Sequence, residues 1–253
     1  CTINCNPTSS SETMVQSIKW RPKIEGRTNN ILMAICKERM VELHTPSRKI
    51  VNQITFTDTI FSCEYSHDGL QYALGLRDYS IRVFDSLTKK ETIKLGGIDN
   101  QKVTGHQSKI FSLKFVRDQK ILISGGWDDI LIFWDLTTGN PDKVIAGPHI
   151  YAEGIDMNCF GEILTASWRR QDNLQLWDYE TKELKQTIEM NTKNSDLKIL
   201  TQLYCCKFSN DFGKLIFTGG SNSSVCKIFT YKGDQVVNID KLNGACLCLD
   251  SSN

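Results

Sequence analysis

Apolar and polar positions alternate in short runs along this chain, and polar, turn-rich pieces separate the runs. The clearest stretch is 105–135, which opens with Gly105-His106 and alternates from Ile110 to Phe115. A turn at Arg117-Asp118-Gln119 leads to a second run at Ile121 to Ser124. A tight turn at Trp127-Asp128-Asp129 leads to a third run closed by Trp134-Asp135, and a fourth run lies near Lys143 to Ala146. Runs this short, with period-two alternation and turn residues between them, predict one antiparallel four-stranded sheet.

The same grammar repeats. A first unit is predicted at 15–57 and a second at 59–95, followed by a longer connection from Gly96 to Thr104. The third unit is 105–146, the fourth 149–190 and the fifth 203–242, the last preceded by a polar insertion from Asn191 to Gln202. Residues 244–253 read as the opening strand of a sixth. Residues 1–14 are a polar tail or connector, in which Thr2 to Cys5 could add an edge strand. Equivalent positions late in the third runs fall at 43, 84, 134, 177 and 229, giving gaps of 41, 50, 43 and 52.

The Gly-His entry, the Trp-Asp exit and a period near 40–45 residues resemble the WD40 repeats of β-propellers. The likeness is sharpest in the third unit, fair in the fourth and thin elsewhere. It implies an all-β fold with about five recognisable blades plus the start of a sixth. It also implies a hydrogen-bonded chain that joins Asp128, His106, Ser124 and Trp134 within one blade. Each link suits its groups: carboxylate accepts from imidazole, imidazole from hydroxyl, and hydroxyl from indole N–H. The competing reading of these residues, a catalytic Ser-His-Asp set, has no nucleophile turn around the serine, and the indole already supplies that serine with a partner.

The fourth unit repeats the spacing. His106 precedes Ser124 by 18 residues and Trp134 by 28, and His149 precedes Ser167 and Trp177 by the same amounts. His149, Ser167 and Trp177 are therefore expected to form the matching network. Its carboxylate would fall at 171, where the sequence has Gln171, with Asp172 one residue late. In the fifth unit Thr218 and Phe229 take the hydroxyl and tryptophan places. Leu43-His44 and Phe84-Asp85 replace Trp-Asp in the first two units, so those blades are expected to rest on apolar packing.

Propellers hide their sheet edges by closing, commonly with seven blades. The chain begins at Cys1, not Met, and stops within a sixth unit. It is therefore expected to be part of a longer protein whose flanks complete a seven-bladed ring. The alternative is a five-bladed closure that borrows a strand from one end.

Composition narrows the chemistry. The 253 residues are 40% hydrophobic with a net charge of +1, ample for a core and without an electrostatic reason to bind nucleic acid. No apolar run approaches the ~20 residues that span a bilayer. The ten cysteines include no Cys-x-x-Cys and no zinc-finger spacing to histidine. Most lie in strand runs, as Cys36, Cys63 and Cys226 do, and read as small buried hydrophobes of a reducing compartment. Cys1 and Cys5 are candidates for exposed thiols. There is no phosphate-binding glycine loop and no His-Glu-x-x-His. No catalytic residue, cofactor, metal or small-molecule substrate is expected.

Family resemblance implies a rigid platform for other proteins. The residue before the turn aspartate is Arg77 in the second unit and Trp127 in the third, and Arg170 is its counterpart in the fourth. With Tyr79 and Arg169 beside them, these residues are expected to form a partner-binding arc, because Arg and Trp dominate binding hot spots. The expected setting is a cytoplasmic multi-subunit complex, with a structural role in a cytoskeletal or ciliary assembly. The alternative is a soluble regulatory adaptor, such as a ubiquitin-ligase substrate receptor or a peptide reader. An RNA-processing subunit is disfavoured by the neutral charge.

Overall fold

A computed structural model of the chain describes residues 15–26, 28–99, 102–117, 120–190, 201–221, 226–239 and 242–250. The expected tail, residues 191–200 of the insertion, residues 118 and 119 of the Arg117 turn, and the turn at Asn222-Ser223-Ser224 lie outside them. The described residues form five antiparallel sheets and no helix. They divide into two compact units, Cys1–Ile123 with Phe133–Asp142 and Ser124–Ile132 with Lys143–Asn253.

The first sheet is β1 (Ser17–Trp20), β2 (Ile31–Cys36), β3 (Arg39–His44) and β4 (Lys49–Thr55). The second is β5 (Ile60–Tyr65), β6 (Gln71–Leu76), β7 (Ser80–Asp85), β8 (Glu91–Asp99) and β9 (Lys102–Thr104). The third is β10 (Ile110–Phe115), β11 (Ile121–Gly126), β12 (Ile130–Asp135) and β13 (Pro141–Ala146). The fourth is β14 (Ile155–Met157), β15 (Glu162–Ala166), β16 (Leu174–Asp178) and β17 (Leu184–Thr187). The fifth is β18 (Leu203–Phe208), β19 (Leu215–Gly220), β20 (Cys226–Thr230) and β21 (Gln235–Ile239). In every sheet, sequential strands are spatial neighbours.

Each sheet buries most of its second and third strands, and its fourth is largely exposed. The Ile121–Gly126 and Ile130–Asp135 strands are almost wholly buried, whereas β4, β13 and β21 are mostly exposed. This is why the central runs read as continuously apolar and the fourth runs as polar. The first unit has a core cluster around Met33, Ile35, Met40, Ile60, Tyr72 and Leu74, and the second has one around Leu164, Leu176, Leu203, Phe208, Ile216 and Phe229.

Two devices recur along the chain. In four sheets the pairing of third and fourth strands slips by one residue directly before Leu43, Phe84, Trp177 and Phe229. A bulge at this point adds twist to the blade, and the spacing of the sequence markers is the spacing of these bulges. The second device explains the aspartate that follows. Asp85 Oδ1 accepts the Leu87 and Thr88 amides and the Thr88 hydroxyl. Asp135 accepts the Thr137 amide at 2.7 Å and the Thr138 hydroxyl, and Asp178 accepts the Thr181 amide at 2.9 Å. Each turn then passes through a left-handed residue, Lys89, Gly139 or Lys182. The aspartate is thus a turn cap. His44 stands in its place in the first sheet and bonds Ser47 Oγ through Nδ1 at 2.7 Å.

The connection expected from Gly96 to Thr104 is sheet. Strand β8 runs on to Asp99 and returns as β9, pairing Gly97 with Thr104. Gly96 and Gly105 lie against the six-membered ring of Trp134. A Cβ on Gly105 would sit 2.4 Å from that ring, and its φ of 92° also favours glycine. His106, Ser124 and Trp134 are buried, and the Trp134 ring lies against Gly105. Residues 244–250 carry no assigned strand; the Cys246 amide donates to Gly220 O at 3.1 Å.

The fourth sheet corrects the expected network. Trp177 Nε1 donates to Thr165 Oγ1 at 3.0 Å, not to Ser167. The Ser167 hydroxyl instead accepts the His149 backbone N–H at 3.0 Å. The shared spacings of 18 and 28 conceal two compensating changes. Trp127 and Trp168 both follow their second strands, but the left-handed turn residue comes two later in the third sheet (Asp129) and four later in the fourth (Asp172). Thr165, three residues before Trp168, is therefore the counterpart of Ser124, three before Trp127. The approach from His149 is shorter by the same two residues.

Candidate interaction surface

In the second unit, four loops and strand starts present aromatic side chains to one another. The tight β11–β12 turn carries Trp127 and Asp129, the latter left-handed at φ 61°. The β13–β14 connection carries His149 and Tyr151, the β15–β16 turn carries Trp168 and Arg169, and β18 carries Tyr204. Tyr151 is the hub. Its ring centroid lies 5.2 Å from Trp127, 5.3 Å from Trp168 and 5.1 Å from Tyr204, the last edge-on. The His149 ring stacks on Trp127 at 6.1 Å and 18°, and tilts against Trp168 at 6.2 Å. Such ring pairs are worth roughly 0.5–1.5 kcal/mol each beyond the area they bury.

All five rings are only half-buried, so the cluster is also a surface. Backbone bonds fix it. The Gly147 amide donates to Asp129 O, Ile150 to Gly126 O, and Trp168 to His149 O, all at 2.8–2.9 Å. Gln202 Nε2 donates to Trp168 O at 3.1 Å, and Asn173 Nδ2 donates to Thr201 O at 2.6 Å. Loops tied at this many points hold their side chains before any partner arrives, which lowers the ordering cost of binding.

Asp129 supplies the charge. One of its oxygens meets His149 Nδ1 at 2.7 Å and the other Arg169 Nη2 at 2.9 Å. Arg169 is thereby neutralised in place. Asp129 also answers the question left by Gln171: the carboxylate beside His149 comes from the β11–β12 turn, and Gln171 and Asp172 are exposed. His149 is thus set by Asp129 and two indoles, not by a side-chain chain to Ser167 and Trp177.

The expected arc is only partly assembled by these contacts. Trp127 and Arg169 belong to the ring cluster, while Arg170 is exposed in the same turn. Arg77 and Tyr79 lie in the first unit at the β6–β7 turn, Arg77 exposed and Tyr79 half-buried with φ 64°. Reading along the sequence missed Tyr151, Trp168 and Tyr204. The signal for Trp168 was its place just past a second strand, two residues after Ala166 where Trp127 is one after Gly126. Nothing local marks Tyr204. Among the described residues no group of three His, Cys, Asp or Glu side chains converges as metal ligands would. No helix of the described residues is long and apolar enough to cross a membrane.

Sheets built on this repeating plan are propeller blades. A model of the WD domain, G-beta repeat, matches residues 98–135, which is the stretch from the end of β8 to Trp134-Asp135. The chain is 31% identical over 112 residues to the "Poly(A)+ RNA export protein" of Schizosaccharomyces pombe, covering 43% of this chain and 28% of that one. It is 27% identical over 191 residues to the "Cell division cycle protein cdt2" of the same yeast, covering 60% and 37%. It is 24% identical over 230 residues to "Cell division cycle 20.1, cofactor of APC complex" of Arabidopsis thaliana, covering 88% and 48%. The chain thus spans between about a quarter and a half of the length of these relatives. The blade architecture, the matched repeat and these likenesses together support a WD40-repeat family for the chain.

Proposed function

We propose that the chain is part of a non-catalytic WD40 propeller that acts as an adaptor in a protein complex, and that the Trp127–His149–Tyr151–Trp168–Tyr204 cluster is its main contact. The observation that carries this is a set of five half-exposed rings held rigid by backbone bonds, with a charged rim at Asp129 and Arg169. Aromatic anchors of this kind supply large contact area at little entropic cost. Arg170, exposed in the same turn as Arg169, extends the surface within the second unit. Because Arg169 is already paired with Asp129, an acidic partner would rely on Arg170.

Between the two settings read from the sequence, the adaptor gains support. The relatives' names speak of a cofactor of a complex, of cell division and of RNA export, and do not speak of a cytoskeletal or ciliary role. The test is affinity purification of the tagged protein from its own cells, as wild type and as the Tyr151→Ala/Trp168→Ala variant. Loss of two hot-spot rings, at ~2 kcal/mol or more each, lowers affinity by about 30-fold per ring. A partner set unchanged in amount, with the variant folded, would remove the proposal.

A further inference from the structure

Three cysteines of the second unit come together at the fifth sheet: Cys205 on β18, Cys226 on β20, and Cys246 in the segment beyond β21. The meeting point is Gly219 on β19. A Cβ placed there would lie 2.4 Å from Cys246 Sγ and 2.8 Å from Cys205 Sγ, so the two sulfurs share the space above a bare Cα. Cys205 Sγ also lies 3.6 Å from the Cys246 carbonyl and 3.8 Å from the Gly219 carbonyl. The segment is pinned to this place by the Cys246 amide bond to Gly220 O and by an ion pair of Lys207 with Asp250.

The two sulfurs differ in character. Cys205 is buried and Cys246 half-exposed. The Cys205 thiol is held as a donor to Cys246 and is desolvated, both of which push its pKa up. Cys246 is pushed down to about 7, first by the donor from Cys205 and then by one from Cys226. A half-exposed thiol with its pKa pushed down, beside a buried one pushed up, suits an attacking and a resolving cysteine.

We propose that Cys246 and Cys205 form a peroxide-responsive dithiol whose oxidation staples residues 242–250 to β18. The Cys246 thiolate attacks one oxygen of hydrogen peroxide; the O–O bond breaks, and hydroxide leaves and takes up a proton as water. Cys246 is then a sulfenic acid. The Cys205 sulfur attacks the Cys246 sulfur, the S–O bond breaks, and the departing hydroxide takes the Cys205 proton as a second water. Two thiols and one peroxide give one disulfide and two waters. The remaining buried cysteines, Cys36, Cys63 and Cys206, take no part.

The test is titration of the intact protein with hydrogen peroxide, followed by peptide mass spectrometry without reduction. Cys206 shares a tryptic peptide with Cys205, and no Lys or Arg separates Cys246 from Cys248, so substitution assigns the bond. The cross-linked peptide pair is expected in the wild type, C206S and C248S, and is expected to vanish in C205S and C246S. In C205S the sulfenic acid at Cys246 is expected to be trapped by dimedone. In unsubstituted protein, iodoacetamide is expected to label Cys246 with half-maximal rate at about pH 7, against about 8.5 for an ordinary thiol in a reference peptide. A bridge from Cys246 to Cys226, or oxidation confined to exposed Cys159 and Cys248, would overturn the assignment. A Cys246 labelling midpoint equal to the peptide's would do the same without any substitution.

Discussion

Thr165→Val removes one hydroxyl from the fourth sheet and leaves its volume nearly unchanged. Trp177 Nε1, at 3.0 Å from that hydroxyl and only 7% exposed with its residue, then loses its acceptor in a place water does not readily reach. An unpaired buried donor costs about 1–3 kcal/mol. The hydroxyl's own bond to Gln175 O is long at 3.4 Å and adds little. With a urea slope of roughly 2–3 kcal/mol per molar, the midpoint falls by about 0.3–1.5 M. Thr165→Ser keeps the acceptor and is expected to avoid more than half of that loss. The assay is urea unfolding followed by tryptophan fluorescence and, in parallel, by circular dichroism. The decisive form is a double-mutant cycle with Trp177→Phe. Thr165 and Trp177 are expected to couple by ~1 kcal/mol, whereas Ser167→Ala and Trp177→Phe add independently. Coupling of Trp177 to Ser167 instead of Thr165 would show that chain spacing, not the bond to Thr165, sets the blade's polar pairing.

Other outcomes follow from the same geometry. Gly105→Ala puts a methyl 2.4 Å from the Trp134 ring at a φ of 92°, so both overpacking and backbone strain act. Differential scanning calorimetry is expected to show a loss of about 2–4 kcal/mol, while Gly244→Ala, with open space around it, leaves the transition nearly unmoved. The turn-capping carboxyls of Asp85, Asp135 and Asp178 are held below their usual range, chiefly by the amides of Thr88, Thr137 and Thr181. A group with a lowered folded pKa stabilises fully above its unfolded value near 3.9, and the stabilisation is lost as pH falls through the folded value. Carbon NMR of the side-chain carboxyls is expected to place all three midpoints below 3.8, and Asp135→Asn is expected to flatten the fall of melting temperature between pH 5 and 2.

The blades were legible in the sequence because each needs a two-residue alternation, two buried middle strands and a turn, and these leave local marks. Leu43, Phe84, Trp177 and Phe229 could be picked out as equivalents because the same bulge falls at each. Spacing alone failed where two changes cancelled. The β15–β16 turn grew by two residues and the approach to β15 shrank by two, so Ser167 stood at the expected count while Thr165 held the indole. The ring cluster was hidden for a different reason. Trp127, His149, Tyr151, Trp168 and Tyr204 come from pieces separated by up to 77 positions, and each reads locally as an ordinary turn or strand aromatic. Their convergence is a property of how successive loops stack. The β8–β9 hairpin was read as a linker because its two glycines, Gly96 and Gly97, look like turn residues; both have positive φ and lie within the strand run.

The proposed binding of other proteins rests on the rings around Tyr151. The most direct measurement is equilibrium binding of a purified partner, found with the wild-type protein, to Tyr151→Ala and Trp168→Ala variants whose melting curves match the wild type. A drop of about 30-fold is expected for either variant, with a smaller effect from Leu184→Ala on the exposed outer strand β17. Equal affinities for wild type, Tyr151→Ala and Trp168→Ala would place the binding surface elsewhere on the blades.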